Sequence, residues 1–401
     1  MKEADKLRIP EWLTFSPGRK TFPVYFIDFA EKNIDVESSA GRDKANSGIY
    51  DILRELLPEY SRPPALIKIH PGEPKSRTHM LPELMRGQAD FIRGGGVEPV
   101  LGDSTVIYTG GRGYNSNPAD DVSAYMEVVR KNRWDRKNTG MDFVVMDRPS
   151  SSVKGVFEFG EEEIMKEVDS PGCFKNVFIS GGFEKAGLIL NNAHLTLHGM
   201  SPLALCVKAV TMGCAGASGK KQMHMNLTPK IDAGSCRTCG LCVKSCPFDA
   251  LYTGDEGVPT LLPEKCAGCG ECLAVCPGGA IIMFHSGDVA WGRGKDTFLS
   301  RLSDFLISMM DEKWDSLVNI GHLYRITAQC DCMDIVQKPI VEDIGVIASR
   351  NPFAADRLAM ELFTARAEKE GKSFPLKDYP KSFQYVENEY NIITEPGIIK
   401  L

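Results

Sequence analysis

Two copies of one cysteine motif constrain this chain more than any other feature of its sequence. Of the thirteen cysteines, eight lie in two runs of the form C-x2-C-x2-C-x3-C-P. The second run follows the first at a constant offset of 30 residues, which indicates that one supersecondary unit occurs twice. Three cysteines in a tight loop and a fourth from elsewhere can bring four thiolates to one point. The spacing therefore predicts metal chemistry rather than a disulfide framework.

This cysteine-rich segment resembles the bacterial two-cluster ferredoxins. In that family the fourth cysteine of each run ligates the cluster of the other run. The resemblance implies two [4Fe-4S] clusters and one-electron transfer between them. It assigns the first cluster to Cys236, Cys239, Cys242 and Cys276, and the second to Cys266, Cys269, Cys272 and Cys246. Structural zinc is the alternative, but zinc usually takes two well-separated cysteine pairs rather than two triplets.

The composition of the whole chain is that of an ordinary globular protein. Of its 401 residues, 43% are hydrophobic and 25% are charged, which argues against a largely disordered or fibrous chain. The formal net charge of -6 provides no general attraction to nucleic acid or anionic membranes. The apolar runs are too short for a membrane-spanning helix, and the charged N-terminus does not look like a secretory signal. We therefore expect a cytoplasmic protein with no membrane span and no nucleic-acid partner.

Short apolar runs alternate with helix-compatible segments on both sides of the cysteine-rich segment. Strands are predicted at 65–69, 97–101, 143–146, 176–180, 188–191, 323–328 and 344–348. Helices are predicted at 81–93, 122–132 and 297–310, with another beginning at Asn351 and Pro352. Continuous apolar runs suit strands that are covered on both faces. The sequence thus predicts an α/β domain with a mostly parallel sheet and helices on both faces.

The same alternation predicts how the domains are arranged. Because strand and helix patterns continue on both sides of it, the cysteine-rich segment is predicted to be an insertion. Residues 1–230 and 287–401 would form one discontinuous α/β domain. Residues 231–286 would form a small α+β domain similar to a two-cluster ferredoxin.

Two cysteines near the end of a predicted strand are candidates for a second functional site. Cys330 and Cys332 follow the strand at 323–328, where open α/β sheets often present ligands and catalytic groups. In a strand-like C-x-C both thiols can point to the same side, which suits a metal, a cluster or redox chemistry. The alternative is a pair of reduced thiols at a strand end.

Histidines and a lysine earlier in the chain are further candidates for this site. His194 and His198 are followed closely by Lys208, Cys214 and His224. The four-residue spacing aligns the two histidines only in a helix, and the strand-like run at 188–191 makes a helix uncertain. Each histidine could equally be a hydrogen-bonded structural residue.

Strand ends and glycine-rich pieces in the first half of the chain bear on the same site. His79 follows the predicted strand that carries Lys68 and His70, and Asp103 follows the strand at 97–101, so these residues lie where a sheet would open its crevice. The glycine-rich pieces at 94–96 and 110–113 lack the spacing of a dinucleotide-binding loop and are predicted to be turns.

Several of these motifs together resemble the iron–sulfur proteins of domain-of-unknown-function family 362. The matching stretches are Thr78-His79, Pro82-Glu83, Gly102-Asp103-Ser104, 194–198, 207–214, Gly219-Lys220, Cys330-Asp331-Cys332 and 343–352. The resemblance covers most of the chain from about 65 to 360. It implies an anaerobic redox protein and supplies no substrate.

These observations lead to one favoured hypothesis and one alternative. The favoured protein is an oxidoreductase in which two [4Fe-4S] clusters relay electrons to a crevice containing the catalytic candidates, namely Cys330, Cys332, His194, His198, Lys208 and Cys214. Its partners would be a low-potential electron donor or redox protein and a small-molecule substrate. A further metal or redox cofactor could occupy the crevice. The alternative is a non-catalytic electron carrier, or a scaffold that delivers metal or sulfur to a client protein.

Overall fold

Strands from both sides of the cysteine-rich segment pair into one sheet in a computed structural model of the chain. The structure describes residues 8–57, 62–108, 110–112, 122–169, 172, 174–198, 201–224, 229–246, 248–266, 272, 275–282, 298–376 and 379–401. Its strands, in chain order, are β1 (Phe22–Asp28), β2 (Ala65–Lys68), β3 (Pro99–Asp103), β4 (Phe143–Val145), β5 (Glu163–Glu167), β6 (Asn176–Ser180), β7 (Leu188–Leu197), β8 (Leu203–Ala204), β9 (Lys230–Ile231), β10 (Leu251–Thr253), β11 (Pro259–Leu261), β12 (Ile281–Ile282), β13 (Leu317–Thr327), β14 (Gly345–Ser349) and β15 (Pro396–Lys400).

The main sheet has nine strands, eight of them in the order β15-β1-β14-β13-β7-β2-β3-β4, with β8 paired to β7. The run β13-β7-β2-β3-β4 is parallel throughout. Strand β14 is antiparallel to both of its neighbours, β1 and β13. The expected α/β class is confirmed as a mixed sheet with more parallel than antiparallel pairs.

Helices cover the sheet and connect its parallel strands. They are α1 (Phe29–Lys32), α2 (Ser39–Leu56), α3 (Arg86–Gly94), α4 (Ser123–Lys131), α5 (Arg136–Thr139), α6 (Gly181–Lys185), α7 (Cys206–Cys214), α8 (Ala217–His224), α9 (Leu241–Lys244), α10 (Phe298–Met310), α11 (Pro352–Lys369) and α12 (Pro380–Tyr390). The predicted start of α11 is confirmed, because the Asn351 side chain accepts hydrogen bonds from the backbone N–H groups of Phe353 and Ala354.

The sheet separates two apolar cores. Alternate residues of β2 point to opposite faces, so Leu66 joins one core while Ala65 and Ile67 join the other. The first core includes residues of α7, α10 and α11, and the second includes residues of α2 and α3. All four residues of β2 are buried, which explains why its sequence is a continuous apolar run ending in one lysine.

Two strand predictions differ from the structure in an informative way. The run at 188–191 continues as β7 to Leu197, although Asn192 and His194 do not look like strand residues. These polar side chains are accommodated by hydrogen bonds, such as that from His322 Nε2 to Asn192 Oδ1 at 2.8 Å. The strand at 176–180 exists as β6 but pairs antiparallel with β5 outside the main sheet.

The cysteine-rich segment contributes only short elements among the residues described. Strands β10 and β11 form an antiparallel pair, and β9 pairs with β12 from the other end of the segment. Helix α9 carries Cys242 and is preceded by Gly240, whose φ of +68° is the left-handed conformation that glycine adopts readily.

Candidate functional site

The carboxyl ends of four neighbouring parallel strands meet at one edge of the main sheet. Strand β13 leads to Cys330 and Cys332, and β7 contains His194 and is followed by His198. Strand β2 ends at Lys68, and β3 ends at Asp103. In open α/β sheets this edge is where ligands bind, and here it collects residues that are far apart in sequence.

A cavity of about 140 Å³ lies at this edge. It is lined by charged, polar and thiol side chains together with a few apolar ones. The polar and thiol lining residues are Lys68, His70, Asp103, Ser104, Tyr108, Arg112, Asn192, His194, Thr196, His198, Lys208, Lys220, His224, Cys330, Asp331 and Cys332. Five of the six catalytic candidates therefore line one cavity, and Cys214 is not among the lining residues.

Cys330 is stabilised as a thiolate by its neighbours. Its Sγ accepts a hydrogen bond from the backbone N–H of Cys332 at 3.3 Å, and Lys208 Nζ lies 3.7 Å away. A hydrogen bond with the Cys332 thiol and the charge of Lys208 outweigh burial and lower the pKa of Cys330 to about 6. The same hydrogen bond and burial raise the pKa of Cys332. At neutral pH the pair is one nucleophilic thiolate beside one protonated thiol.

His194 fixes the residue between these two cysteines. Its Nδ1 lies 2.6 Å from Asp331 Oδ2, and its Nε2 donates to the Tyr324 carbonyl at 2.8 Å. Burial opposes a charge on His194, but the carboxylate of Asp331 outweighs it and the pKa of the histidine is raised. Because both partners are acceptors, both ring nitrogens carry protons. The resulting buried ion pair positions the C-x-C turn.

His198 lies beside the two thiols, and its hydrogen bonding bears on whether the group could hold a metal. Ligand atoms of His198, Cys330 and Cys332 all lie within 4.8 Å of one another. However, His198 Nδ1 accepts the backbone N–H of Ser201 at 3.1 Å. Burial and the nearby charge of Lys208 lower the pKa of His198, so its ring is neutral and has a single acceptor nitrogen. That lone pair is already used, which favours a hydrogen-bonding role over metal ligation.

Lys68 carries a buried ammonium group with no hydrogen-bond acceptor among the described residues. Its nearest counter-charge is Asp103 Oδ1, 3.9 Å from Nζ. Burial lowers the pKa of Lys68, while the charge of Asp103 acts in the opposite direction. A Cβ atom on Gly213 would lie 2.0 Å from Lys68 Cε, so the glycine in α7 makes room for this side chain. A buried cation that lines a cavity and lacks a close partner is suited to receive an anion.

A fully buried arginine organises the opposite wall of the cavity. Arg112 donates to Glu73 Oε1 at 2.9 Å and to Asp103 Oδ2 at 3.0 Å. It also donates to His70 Nε2 at 3.0 Å. Burial and the charge of Arg112 lower the pKa of His70, which leaves that ring neutral. These bonds hold Asp103 close to Arg112, and therefore Asp103 does not fully neutralise Lys68.

The surroundings of Lys220 and Cys214 indicate structural roles for these two residues. Lys220 Nζ donates to Ser104 Oγ and to the Ala215 carbonyl, both at 2.7 Å, and so joins α8 to the end of β3. Cys214 is fully buried behind the cavity, and burial raises the pKa of its thiol to about 12. A thiol protonated to that extent is a poor nucleophile.

A second, smaller cavity of about 20 Å³ lies in the cysteine-rich segment. Four cysteines line it, namely Cys236, Cys239, Cys242 and Cys276. Backbone N–H groups of Thr238 and Ala280 point at the sulfurs of Cys236 and Cys276, at 3.4 and 3.3 Å. Burial acts against ionisation of Cys276, but surrounding backbone N–H groups outweigh it and lower the pKa of this thiol.

The other four cysteines of the two motifs are described only in part. Cys246 accepts the backbone N–H of Ala250 at 3.3 Å, and Cys272 is buried. Cys266 is half-buried, and Cys269 lies outside the described residues.

Sequence reasoning missed two residues that shape the sheet-edge cavity. Arg112 lies in the glycine-rich stretch at 110–113, for which the sequence predicts only a turn. In the structure its side chain is buried and donates hydrogen bonds to Glu73 and Asp103. Gly213 interrupts α7 at a position where alanine would favour the helix by about 1 kcal/mol. A glycine inside a helix often marks the close approach of another group, and this is the sequence feature that points to Gly213.

Comparison with known proteins identifies the family of the chain. No helix among the described residues is long and apolar enough to cross a membrane. No curated protein matches the sequence. The family model described as domain of unknown function (DUF362) matches residues 65–361, a range that includes every lining residue of the sheet-edge cavity and both cysteine motifs. The chain therefore belongs to the DUF362 family.

Proposed function

We propose that this protein is an iron–sulfur oxidoreductase. Its cysteine-rich segment would hold two [4Fe-4S] clusters, and its sheet-edge cavity would bind a small-molecule substrate. One observation carries the proposal: Cys236, Cys239 and Cys242 of the first motif line one cavity with Cys276, the last cysteine of the second motif. This is the crossed set of ligands that two-cluster ferredoxins use.

The surroundings of these sulfurs fit such a group. Cluster thiolates are stabilised by backbone N–H groups, and Cys236, Cys246 and Cys276 each have one within 3.4 Å. The side chains of Cys242 and Cys272 are buried, which limits access of water to their sulfurs. When bound, the clusters would supply one-electron transfer at low potential.

Contacts between the cysteine-rich segment and the sheet domain support a local destination for electrons. Cys242, Leu251 and Ile281 belong to the same apolar core as Val207 of α7. In addition, Lys221 Nζ of α8 lies 5.0 Å from the ring centre of Phe248, two residues after Cys246. Both α7 and α8 carry lining residues of the cavity, Lys208 and Lys220.

The sheet-edge cavity favours an enzyme over a carrier or scaffold. An electron carrier needs no cavity lined by reactive groups, whereas this one contains a thiolate, a buried ammonium group whose nearest carboxylate is 3.9 Å away, and a buried histidine–aspartate pair. Lys208 would stabilise the Cys330 thiolate, and the ion pair of His194 and Asp331 would orient it. An external low-potential donor would complete the system as its partner.

Metal analysis of anaerobically purified protein tests this proposal. We expect about eight irons and eight acid-labile sulfides per chain. We also expect a reduced [4Fe-4S] signal in electron paramagnetic resonance after addition of dithionite. Stoichiometric zinc with iron near zero, after anaerobic purification and reconstitution, would overturn the proposal.

A further inference from the structure

We propose that Cys330 and Cys332 form a dithiol–disulfide couple, and that the sheet-edge cavity binds a small anionic disulfide which Cys330 attacks. This deepens the proposed function by naming its substrate class. It rests on the proposed function only for the physiological source of electrons, because any low-potential reductant can reduce the couple in vitro.

The first support is the arrangement of the two thiols. They face one cavity, and their sulfur atoms lie within 4.8 Å of each other. Lys208 and the backbone N–H of Cys332 stabilise negative charge on Cys330, while Cys332 keeps its proton. An attacking thiolate beside a protonated resolving thiol is the arrangement that thiol–disulfide exchange requires.

The second support is the state of the other candidates for the same chemistry. Cys214 and Cys206 are fully buried, and burial raises the pKa of both thiols. His198 contributes no free lone pair to a metal, because the N–H of Ser201 occupies it. The Cys330–Cys332 pair therefore has a reactive thiolate, and the hydrogen bond at His198 Nδ1 disfavours a metal site made of His198 and the two cysteines.

The reaction balances in two exchange steps. The Cys330 thiolate attacks one sulfur of the substrate R–S–S–R. A mixed disulfide forms between Cys330 Sγ and that sulfur, the S–S bond of the substrate breaks, and one RS⁻ leaves. Cys332 gives its proton to the RS⁻ released in the first step and attacks Cys330 Sγ. The mixed disulfide bond breaks, the Cys330–Cys332 disulfide forms and the second RS⁻ leaves. The substrate has gained two electrons and the two cysteines have lost two. Two electrons from the low-potential donor and one proton from solvent then restore the Cys330 thiolate and the Cys332 thiol.

The charge of the cavity selects the substrate. Lys68 is 1% exposed, its ammonium lies 3.9 Å from the nearest carboxylate, and that carboxylate is held by Arg112. Gly213 leaves the space that this side chain needs. A carboxylate on the substrate would give Lys68 the close acceptor that the protein does not provide. A cationic disulfide would add a second positive charge beside it.

Three disulfides of similar length and different charge test the proposal on the holoprotein. They are 3,3′-dithiodipropionate, which is anionic, 2-hydroxyethyl disulfide, which is neutral, and cystamine, which is cationic. Protein is reduced, freed of reductant, and mixed with each probe, and thiol release is followed in a single turnover. We expect the anionic probe to react about tenfold faster than the neutral one, equivalent to about 1.4 kcal/mol. Cystamine should react slowest.

Variants assign the roles. Cys330→Ser should abolish thiol release, and Cys332→Ser should stop after one thiol, with peptide mass mapping locating one mercaptopropionate on Cys330. Lys68→Met should remove the preference for the anionic probe, measured as the ratio of its rate to the rate of the neutral probe in the same variant. Exposed Lys131 on α4 provides the matched control, and Lys131→Gln should retain the preference. If Lys68→Met does not fold, the comparison of the three probes on unaltered protein still decides the substrate charge.

The outcomes separate this inference from the proposed function. Equal rates for all three probes, a faster reaction of cystamine, or normal thiol release by Cys330→Ser would overturn the inference even in protein with eight irons. Protein that lacks iron but shows the predicted adduct and charge preference would contradict only the proposed function.

Discussion

The cysteine-rich segment and the sheet-edge cavity both gather thiols, but they do so by different physical means. Three of the four cysteines around the smaller cavity come from one short loop, and their spacing alone brings them together. Cys330 instead meets Lys68, His198 and Lys208 through strand pairing and helix packing over long sequence separations. The site in the cysteine-rich segment is therefore local and can be recognised as a sequence motif. The sheet-edge cavity forms only when distant parts of the chain come together in the folded sheet.

We expect the largest effect on iron content when a cysteine of the cysteine-rich segment, rather than one of the sheet-edge cavity, is replaced. Cys239→Ser should remove at least about half of the eight irons, because one complete set of thiolates is lost. Cys330→Ser should leave the iron content unchanged. Iron and sulfide analysis of both variants measures this, and similar iron loss in the two would mean that the regions share a metal site.

Two glycines provide the next comparison. Gly213→Ala should destabilise the protein by about 2 kcal/mol, because displacing the end of the buried Lys68 side chain costs more than the helix gains from alanine. Gly240→Ala meets no atom within 4 Å and is disfavoured only by its positive φ, which costs about 1 kcal/mol. Thermal unfolding followed by circular dichroism compares the variants. Equal losses would show that the space around Lys68 is less restricted than the structure indicates.

Acid should weaken the main sheet. His322 is fully buried, and burial lowers its pKa to about 3. The unfolded chain binds this proton near pH 6.5 and the folded one does not, so stability is lost as the pH falls from 6.5 toward 3. Between pH 7 and 5 the loss is about 2 kcal/mol.

The variant His322→Gln tests this assignment. Glutamine can still donate to Asn192 Oδ1 but cannot take up a proton. Urea unfolding at pH 7 and pH 5 should show a smaller dependence on pH in the variant than in the unaltered protein. An unchanged pH dependence would assign the acid sensitivity to other groups.

The smallest effect is expected where the two regions touch. Lys221→Met removes the cation from the ring of Phe248 and should cost less than about 1 kcal/mol. The loss should appear as faster proteolysis within 231–282, with little change in the main sheet. Lys185→Met, at the exposed end of α6, is the control. A large global loss of stability would mean that this contact is essential to the fold.

The family and the α/β class were predictable because they depend on repeated local patterns. Apolar runs such as 143–146 and motifs such as Cys330-Asp331-Cys332 can be recognised from the local sequence alone. The candidate residues His194, His198 and Lys208 were also found, and they line the same cavity as Cys330.

Other features depend on partners that a sequence does not show. The second half of β7 could not be predicted because it contains the polar residues Asn192 and His194. Their side chains are accommodated by hydrogen bonds to Gln88, His322 and Asp331 on other elements. The importance of Arg112 depends on Glu73 and Asp103 arriving on either side of it. Long-range polar networks of this kind have no local periodicity, and only the folded chain reveals them.

The strand order has a consequence for how the protein is made. Strand β13 lies between β7 and β14, and among the described residues β1 pairs with β14 and β15. During synthesis, β1 therefore has no partner strand until β14, at Gly345–Ser349, has been made. The segment 231–282 is complete before that moment, so it can fold while the sheet still lacks its central strand. Pairings over such separations are formed slowly, and closure of the sheet is the step at which we expect a chaperone to matter most.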